Sequence, residues 1–207
     1  MSSYKLEYFD CRGRGEVTRM LFALAGKKYE DVRYTAEQWE DLKKKLPVAQ
    51  LPILYVDGKQ LVDSSAIASY LAREFGYYGS NNWEAALIDQ VVGIVSDLWT
   101  PLIETYFISD EAAQLAKQKE LFDGKAQGYL KFLEDALCKN KEGEGFFVGD
   151  KISLADLNFH TAMESLENLK YTDKNFEKYP KLAALRARIS ADEGFSKYLA
   201  ARTKHDF

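Results

Sequence analysis

Residues 50 to 71, QLPILYVDGKQLVDSSAIASYL, constrain this chain more than any other stretch, because they commit it to two strands, a tight turn and a helix start in immediate succession. Residues 53 to 56 are β-rich, Asp57-Gly58 is a strong hairpin-turn pair, and residues 60 to 62 bring the chain back, so a β-hairpin is predicted. Asp63, Ser64 and Ser65 then offer side-chain oxygens where helical periodicity begins. Ile67, Ala68, Leu71 and Phe75 share one face, which predicts a helix from about Ser65. The free N–H groups and positive dipole end of such a helix favour an anion, and the Asp63 carboxylate beside them suits an ammonium group. Together they suit the backbone end of an amino acid. Pro52, at the first residue of a strand, gives up one ladder bond and can adopt cis geometry, which exposes a backbone amide edge at Leu51. Taken alone, these residues equally describe an ordinary hairpin followed by a capped helix.

The flanking sequence places this segment in a larger unit. Residues 4 to 9 alternate Tyr4, Leu6 and Tyr8 against Lys5, Glu7 and Phe9, as a strand does, and DCRGRG follows as a turn. Val17, Met20, Leu21 and Leu24 recur at helical spacing, Gly26 reads as the C-cap, and residues 29 to 34 supply a second strand. A further helical segment over residues 36 to 46 carries Trp39 and Lys43 before Pro47. The order βαβ-α-ββα predicts a four-stranded α/β domain of thioredoxin-like arrangement over residues 1 to 77.

Gly, Ser and Asn concentrate in GYYGSNNW, and residues 78 to 83 are expected to be a linker. From residue 84 to 207 nothing reads as a strand, so an all-helical domain is predicted. Leu87, Val91, Ile94, Leu98 and Leu102 mark a long amphipathic helix interrupted or bent at Pro101. Leu115, Phe122, Tyr129, Leu133 and Leu137 mark another. Ser153-Leu154-Ala155-Asp156 resembles a capping box with Asp in place of Glu or Gln, opening a buried helix that runs to about Leu169. Pro180 starts a helix, and a last short one carries Tyr198 and Leu199.

Composition excludes several classes of function. With 46% hydrophobic and 29% charged residues among 207, the chain can bury a sizeable core as one domain or two small ones. A net charge of −4 with dispersed Lys and Arg leaves no basic patch for a nucleic-acid partner. MSSYKLEYFD has neither a basic n-region nor an apolar h-region, and no stretch reads as long enough to span a bilayer. A cytoplasmic chain with no membrane partner is expected. Cys11 and Cys138 form no CxxC and the two histidines lie far apart, so neither a zinc site nor a dithiol redox centre is expected.

YKLEYFDCRGRGE, Trp39, Lys43, Gln50-Leu51-Pro52, Asp63-Ser64, Asp97, GFFVGDKISLADL and YPKLAALRARI together resemble a sigma-class glutathione S-transferase along the whole chain. That class includes haematopoietic-type prostaglandin D synthases, invertebrate detoxifying enzymes and the cephalopod lens S-crystallins, and the resemblance does not choose among them. It implies the thioredoxin-like domain followed by the all-helical one, a homodimer, glutathione as co-substrate and no metal. It implies that the Tyr8 hydroxyl hydrogen-bonds the glutathione sulfur, with the Arg14 cation adding to stabilisation of the thiolate.

The tripeptide carries an ammonium, two carboxylates and backbone amides, and the matched residues supply a partner for each. Trp39 Nε1 and Lys43 are donors suited to the glycyl carboxylate, with Gln50 near the same end. The Leu51 backbone next to Pro52 suits the cysteinyl residue in strand-like pairing, and Ser64 with its helix N-terminus suits the γ-glutamyl carboxylate. Asp63 stands where most sigma enzymes have Gln, near the γ-glutamyl ammonium. The resemblance places Asp97 at the subunit interface, facing the partner's γ-glutamyl ammonium. By family position, Phe9, Arg14, Trp99, Asn158 and Phe207 build the electrophile pocket. Cys11, in the turn after Tyr8, is the competing nucleophile, since thiol-transferring relatives use a cysteine near a helix N-terminus.

Three activities fit this pattern: conjugation of glutathione to hydrophobic electrophiles, glutathione-dependent isomerisation of prostaglandin H2 to D2, and a non-catalytic crystallin or ligand carrier. Crystallins of this family tend to be rich in Met and Arg with a long insertion in the helical domain. Three methionines and the absence of such an insertion argue for an enzyme.

Overall fold

The computed structural model describes residues 2–46, 48–167, 169 and 178–203, so the expectations for Pro47 and Phe207 lie outside the described residues. Two compact units form, one of Met1–Phe75 with Glu193–Phe207 and the other of Gly76–Asp192.

The first unit is built on β1 (Tyr4–Phe9), α1 (Glu16–Leu24), β2 (Glu30–Tyr34), α2 (Ala36–Leu42), β3 (Ile53–Val56), β4 (Lys59–Val62) and α3 (Ser64–Phe75), joined by the last helix, α9 (Glu193–Ala201). The sheet order is β2-β1-β3-β4, with β1 parallel to β2 and antiparallel to β3, and β3 antiparallel to β4. This is a thioredoxin-like sheet. β1 is an interior strand, and its burial departs from simple alternation: Leu6, Glu7 and Tyr8 are all buried. Both of its faces are covered. Tyr4 packs edge-on to Phe22 and Phe75 on one face, while on the other face Phe9 meets Trp39 edge to face. Buried Glu7 is neutralised by Lys5, whose Nζ is 2.6 Å away.

Local chemistry sets the ends of these elements. Gly26, at φ +59°, lets the Gly26 and Lys27 N–H groups close back on the Ala23 and Phe22 carbonyls, a Schellman ending for α1. Thr35 and Gln38 form a reciprocal capping box at α2. α2 is shorter than expected, because residues Lys43–Lys45 tighten into a 3₁₀ turn.

In the second unit, α4 (Asn82–Glu104) is capped by the Asn81 side chain and runs on through Pro101 rather than stopping there. Contrary to expectation, the stretch Asn82–Phe107 is long and apolar enough to cross a bilayer by length and composition. Its apolar side is committed elsewhere, since Ile88, Val91, Val95, Leu98 and Leu102 are buried and α4 packs along α7 (Leu154–Glu167). The single helix expected around residues 115 to 137 is instead two, α5 (Glu111–Leu121) and α6 (Gln127–Cys138), joined by a π turn, Phe122–Ala126. Gly124, at φ −100° and ψ −114°, takes a non-helical backbone there, so the apolar periodicity carries across a break it does not reveal. α8 (Pro180–Ala191) begins at its proline, and the Glu134 carboxylate of α6 accepts from the Lys181 and Leu182 N–H groups at 3.0 and 2.9 Å. No strand follows Val62 among the described residues.

Candidate functional site

Tyr8, at 6% exposure, is the last residue but one of β1, close to the turn that leads into α1. The Arg14 backbone N–H donates to the Tyr8 oxygen at 2.8 Å. An acceptor bond of this kind leaves the phenolic proton free to donate. Burial, the largest influence, pushes the Tyr8 pKa up to about 12, opposed by the Arg14 N–H and by the charges of Arg19 and Arg14. The group is therefore a protonated donor at neutral pH.

The turn is shaped around the tyrosine ring. A Cβ added at Gly13 would lie 2.7 Å from the Tyr8 hydroxyl oxygen, and one at Gly15 would lie 2.5 Å from its Cδ1. Gly13 also sits at φ +39°. The RGRG turn thus needs its glycines for close approach to Tyr8, a requirement that the sequence showed only as turn chemistry. The guanidinium carbon of Arg19 is 5.6 Å from the ring centroid.

Several of the expected residues converge. Tyr8, Leu51 and Ile53 form one buried cluster, with Phe9, Cys11 and Trp39 packed against it. The rings of Tyr8 and Phe9, and of Phe9 and Trp39, meet edge to face at 5.5 Å. The Leu51-Pro52 bond is cis. The β1 ladder with β3 ends at Glu7↔Ile53, so Leu51 lies beyond the paired run. Gln50 is exposed. Lys43 lies in the 3₁₀ turn after α2, where its Nζ donates to Glu40 at 2.7 Å.

Asp63 has a role in the fold as well. At φ +76° it caps α3, its Oδ1 accepting from the Ser65 and Ala66 N–H groups at 3.0 and 2.9 Å. The helix therefore starts one residue earlier than expected, at Ser64, and only Oδ2 of Asp63 remains for a cation. Burial raises the pKa of the Cys11 thiol, the opposite of what a nucleophilic cysteine needs.

The remaining expected residues belong to the helical unit. Asp97 is exposed on α4, on the same face as Ala86, Gln90 and Gly93. Trp99 is half-buried on that helix, and Asn158 of α7 donates to the Leu154 carbonyl at 2.9 Å.

Sequence comparison matches the glutathione S-transferase N-terminal domain over residues 4–73 and the glutathione S-transferase C-terminal domain over residues 96–202. The chain is 38% identical over 208 residues to S-crystallin SL11 of Nototodarus sloanii, covering 100% of each. It is also 38% identical over 207 residues to the haematopoietic prostaglandin D synthase of Gallus gallus, covering 99% of this chain and 98% of that one. The solved sigma-class transferase of Fasciola hepatica superposes with a TM-score of 0.89 at 31% identity, covering 100% and 99% of the two chains. Because SL11 aligns end to end, the lack of a long insertion does not separate this chain from crystallins.

Proposed function

This chain belongs to the glutathione S-transferase family, and from that premise we propose that it is a cytoplasmic, homodimeric sigma-type transferase adding the glutathione thiolate to hydrophobic electrophiles. The observation that carries the reading is the Tyr8 hydroxyl, whose oxygen is satisfied by Arg14 N–H while its proton stays available at neutral pH.

In this reading Tyr8 donates to the glutathione sulfur, with the exposed Arg14 side chain adding positive potential. Leu51, beyond the end of the ladder, pairs with the cysteinyl backbone. Ser64 and the start of α3 receive the γ-glutamyl carboxylate, Asp63 Oδ2 faces its ammonium, and Trp39, Lys43 and Gln50 hold the glycyl end. Lowering a thiol pKa from about 8.5 to about 6.5 raises the thiolate fraction at pH 7 from roughly 3% to roughly 75%, an activation of about twenty-five-fold at most. The rest of the acceleration comes from placing the electrophile beside the thiolate. Similarity to a prostaglandin D synthase supports isomerisation as a second reading, because that rearrangement would draw on the same thiolate.

Titration of the ultraviolet thiolate band of bound glutathione tests the proposal directly. The midpoint should lie well below that of the free thiol, and Tyr8→Phe should raise it while leaving affinity within a few-fold. Because the Tyr8 pKa is raised, turnover should climb through the thiolate midpoint and then stay level through neutral pH, with no fall from ionised Tyr8. An unchanged midpoint in Tyr8→Phe would remove Tyr8 from the chemistry. Conjugation of an aryl halide, assayed with and without glutathione, separates an enzyme from a crystallin or carrier.

The exposed face that Asp97 shares with Ala86, Gln90 and Gly93 supports a role across the dimer. In a Tyr8→Phe/Asp97→Ala heterodimer, one site then regains every group, and activity should approach half of wild type per dimer. Activity no higher than the mean of the two mutant homodimers would leave Asp97 acting within its own subunit.

A further inference from the structure

The turn that delivers Arg14 N–H to Tyr8 is held from behind by a buried cation. Arg19 on α1 is 2% exposed; its Nη1 donates to the Cys11 carbonyl at 2.6 Å and its Nη2 to the Phe9 carbonyl at 3.3 Å. Those two carbonyls flank Asp10, where the chain leaves β1 after Phe9, the neighbour of Tyr8. The third side of the guanidinium donates through Nε to Asp31 of β2 at 3.2 Å. One planar group therefore fixes the first residues of the turn in three directions.

Arg19 is in turn held by Glu16, also 2% exposed, with 3.6 Å between Nη1 and Oε2. The other Glu16 oxygen accepts from the Tyr198 hydroxyl and from Arg202 Nη1, each at 2.9 Å. Tyr198 lies on α9 and Arg202 directly follows it, and α9 packs against α1 within the same unit. The other charged groups around the turn are Arg12, which is buried, and the exposed Arg14 within it, together with Asp10, Asp31 and Arg33, with Arg33 bridging the two carboxylates at 2.9 Å each.

Burying a carboxylate and a guanidinium costs desolvation that well-packed apolar residues would not incur, so cohesion alone is a weak account of this pair. Its contacts go instead to main-chain carbonyls beside Tyr8. We propose that Arg19 and Glu16 are positioning residues for Tyr8, and that the C-terminal helix, through Tyr198 and Arg202, governs how strongly the bound thiol is activated. The inference rests on the thiolate chemistry proposed above. When Tyr198 or Arg202 is lost, the Glu16 carboxylate, short of one donor, draws Arg19 off the Phe9 and Cys11 carbonyls. The turn loosens, and the Arg14 to Tyr8 bond lengthens.

The test is the thiolate midpoint of bound glutathione in Tyr198→Phe and Arg202→Gln, each losing one donor to Glu16, compared with wild type. Both midpoints should rise, by about half a pH unit, so that the thiolate fraction well below the midpoint falls about threefold. Glutathione affinity should stay within twofold, because Leu51 and Ser64 are untouched, and turnover should recover at pH values above the new midpoint. Arg19→Lys, which keeps the charge but loses the three-way geometry, should raise the midpoint further. Midpoints equal to wild type in both α9-side variants, even with lower melting temperatures, would overturn the proposal and leave the network as a staple. A wild-type protein that does not lower the glutathione midpoint at all would instead overturn the transferase reading.

Discussion

Gly15→Ala is expected to cut turnover more than tenfold while leaving most of the glutathione affinity. The backbone does not forbid the substitution, since Gly15 at φ −84° and ψ −17° occupies an ordinary right-handed helical conformation. The obstacle is Tyr8. The new Cβ would stand 2.5 Å from its Cδ1, 2.8 Å from Cγ and 3.1 Å from Cε1. Carbon atoms rest about 3.5–4.0 Å apart, so the ring or the turn must move by about an ångström. The ring cannot retreat freely, being buried and bonded at its far end to Arg14 N–H. Overpacking of this kind costs about 1–3 kcal/mol, and it falls on the residue that activates the thiol. Gly128→Ala is the matched control: it is exposed on α6, has nothing within 4 Å of an added Cβ, and should stabilise the protein by about 0.5–1 kcal/mol. Steady-state turnover, glutathione binding and melting of the two variants decide the matter. A Gly15→Ala protein as active as wild type would show that the ring has room the geometry denies it.

Asp156→Ala should be the most destabilising of the substitutions proposed, at about 3 kcal/mol or more. The sequence predicted part of a cap there, and the structure adds to it. Asp156 is fully buried; its Oδ2 accepts from the Ser153 N–H at 2.8 Å and from the Ser153 hydroxyl at 2.7 Å, and its Oδ1 accepts from the Phe147 N–H at 3.0 Å. Truncation leaves two buried amides without an acceptor, each costing about 1–3 kcal/mol. For a chain of this size that corresponds to a fall in melting temperature of roughly 6–12 °C. A change within error would show that other groups hold the Phe147 loop to α7.

Acid should affect this carboxylate in the sense opposite to a salt-bridged one. Burial pushes the Asp156 pKa up to about 6 in the folded state, from an ordinary value of 3.8. The folded protein then binds the proton more tightly than the unfolded chain. The contribution of this group is fully present below the ordinary value and is lost as pH rises through 6. The stability difference between wild type and Asp156→Ala should therefore narrow from pH 4 to pH 7, which denaturant unfolding at several pH values measures.

What could be inferred from the residues alone was whatever neighbouring residues settle among themselves. The Asp57-Gly58 hairpin, the α3 start at Asp63 and the Gly26 ending of α1 each depend on bonds spanning a few residues, so their sequence signals are complete. Full-length motif order likewise carried the family, and with it Tyr8, Leu51 and Ser64 as glutathione-site candidates. Periodicity failed at Gly124, because a π turn spaces apolar residues almost as a continuous helix does while breaking its axis.

Tertiary structure alone decided the surroundings of Tyr8. Gly13 and Gly15 have to be glycine because of a ring on the preceding strand, and the buried Glu16 of α1 finds donors on α9 and just after it, 182 and 186 residues away in sequence. Such partners leave no local pattern. A charged residue on a helix is compatible with solvent or with burial, and only the closing of the chain around it, bringing donors to a carboxylate that would otherwise be too costly to bury, fixes which of the two it becomes.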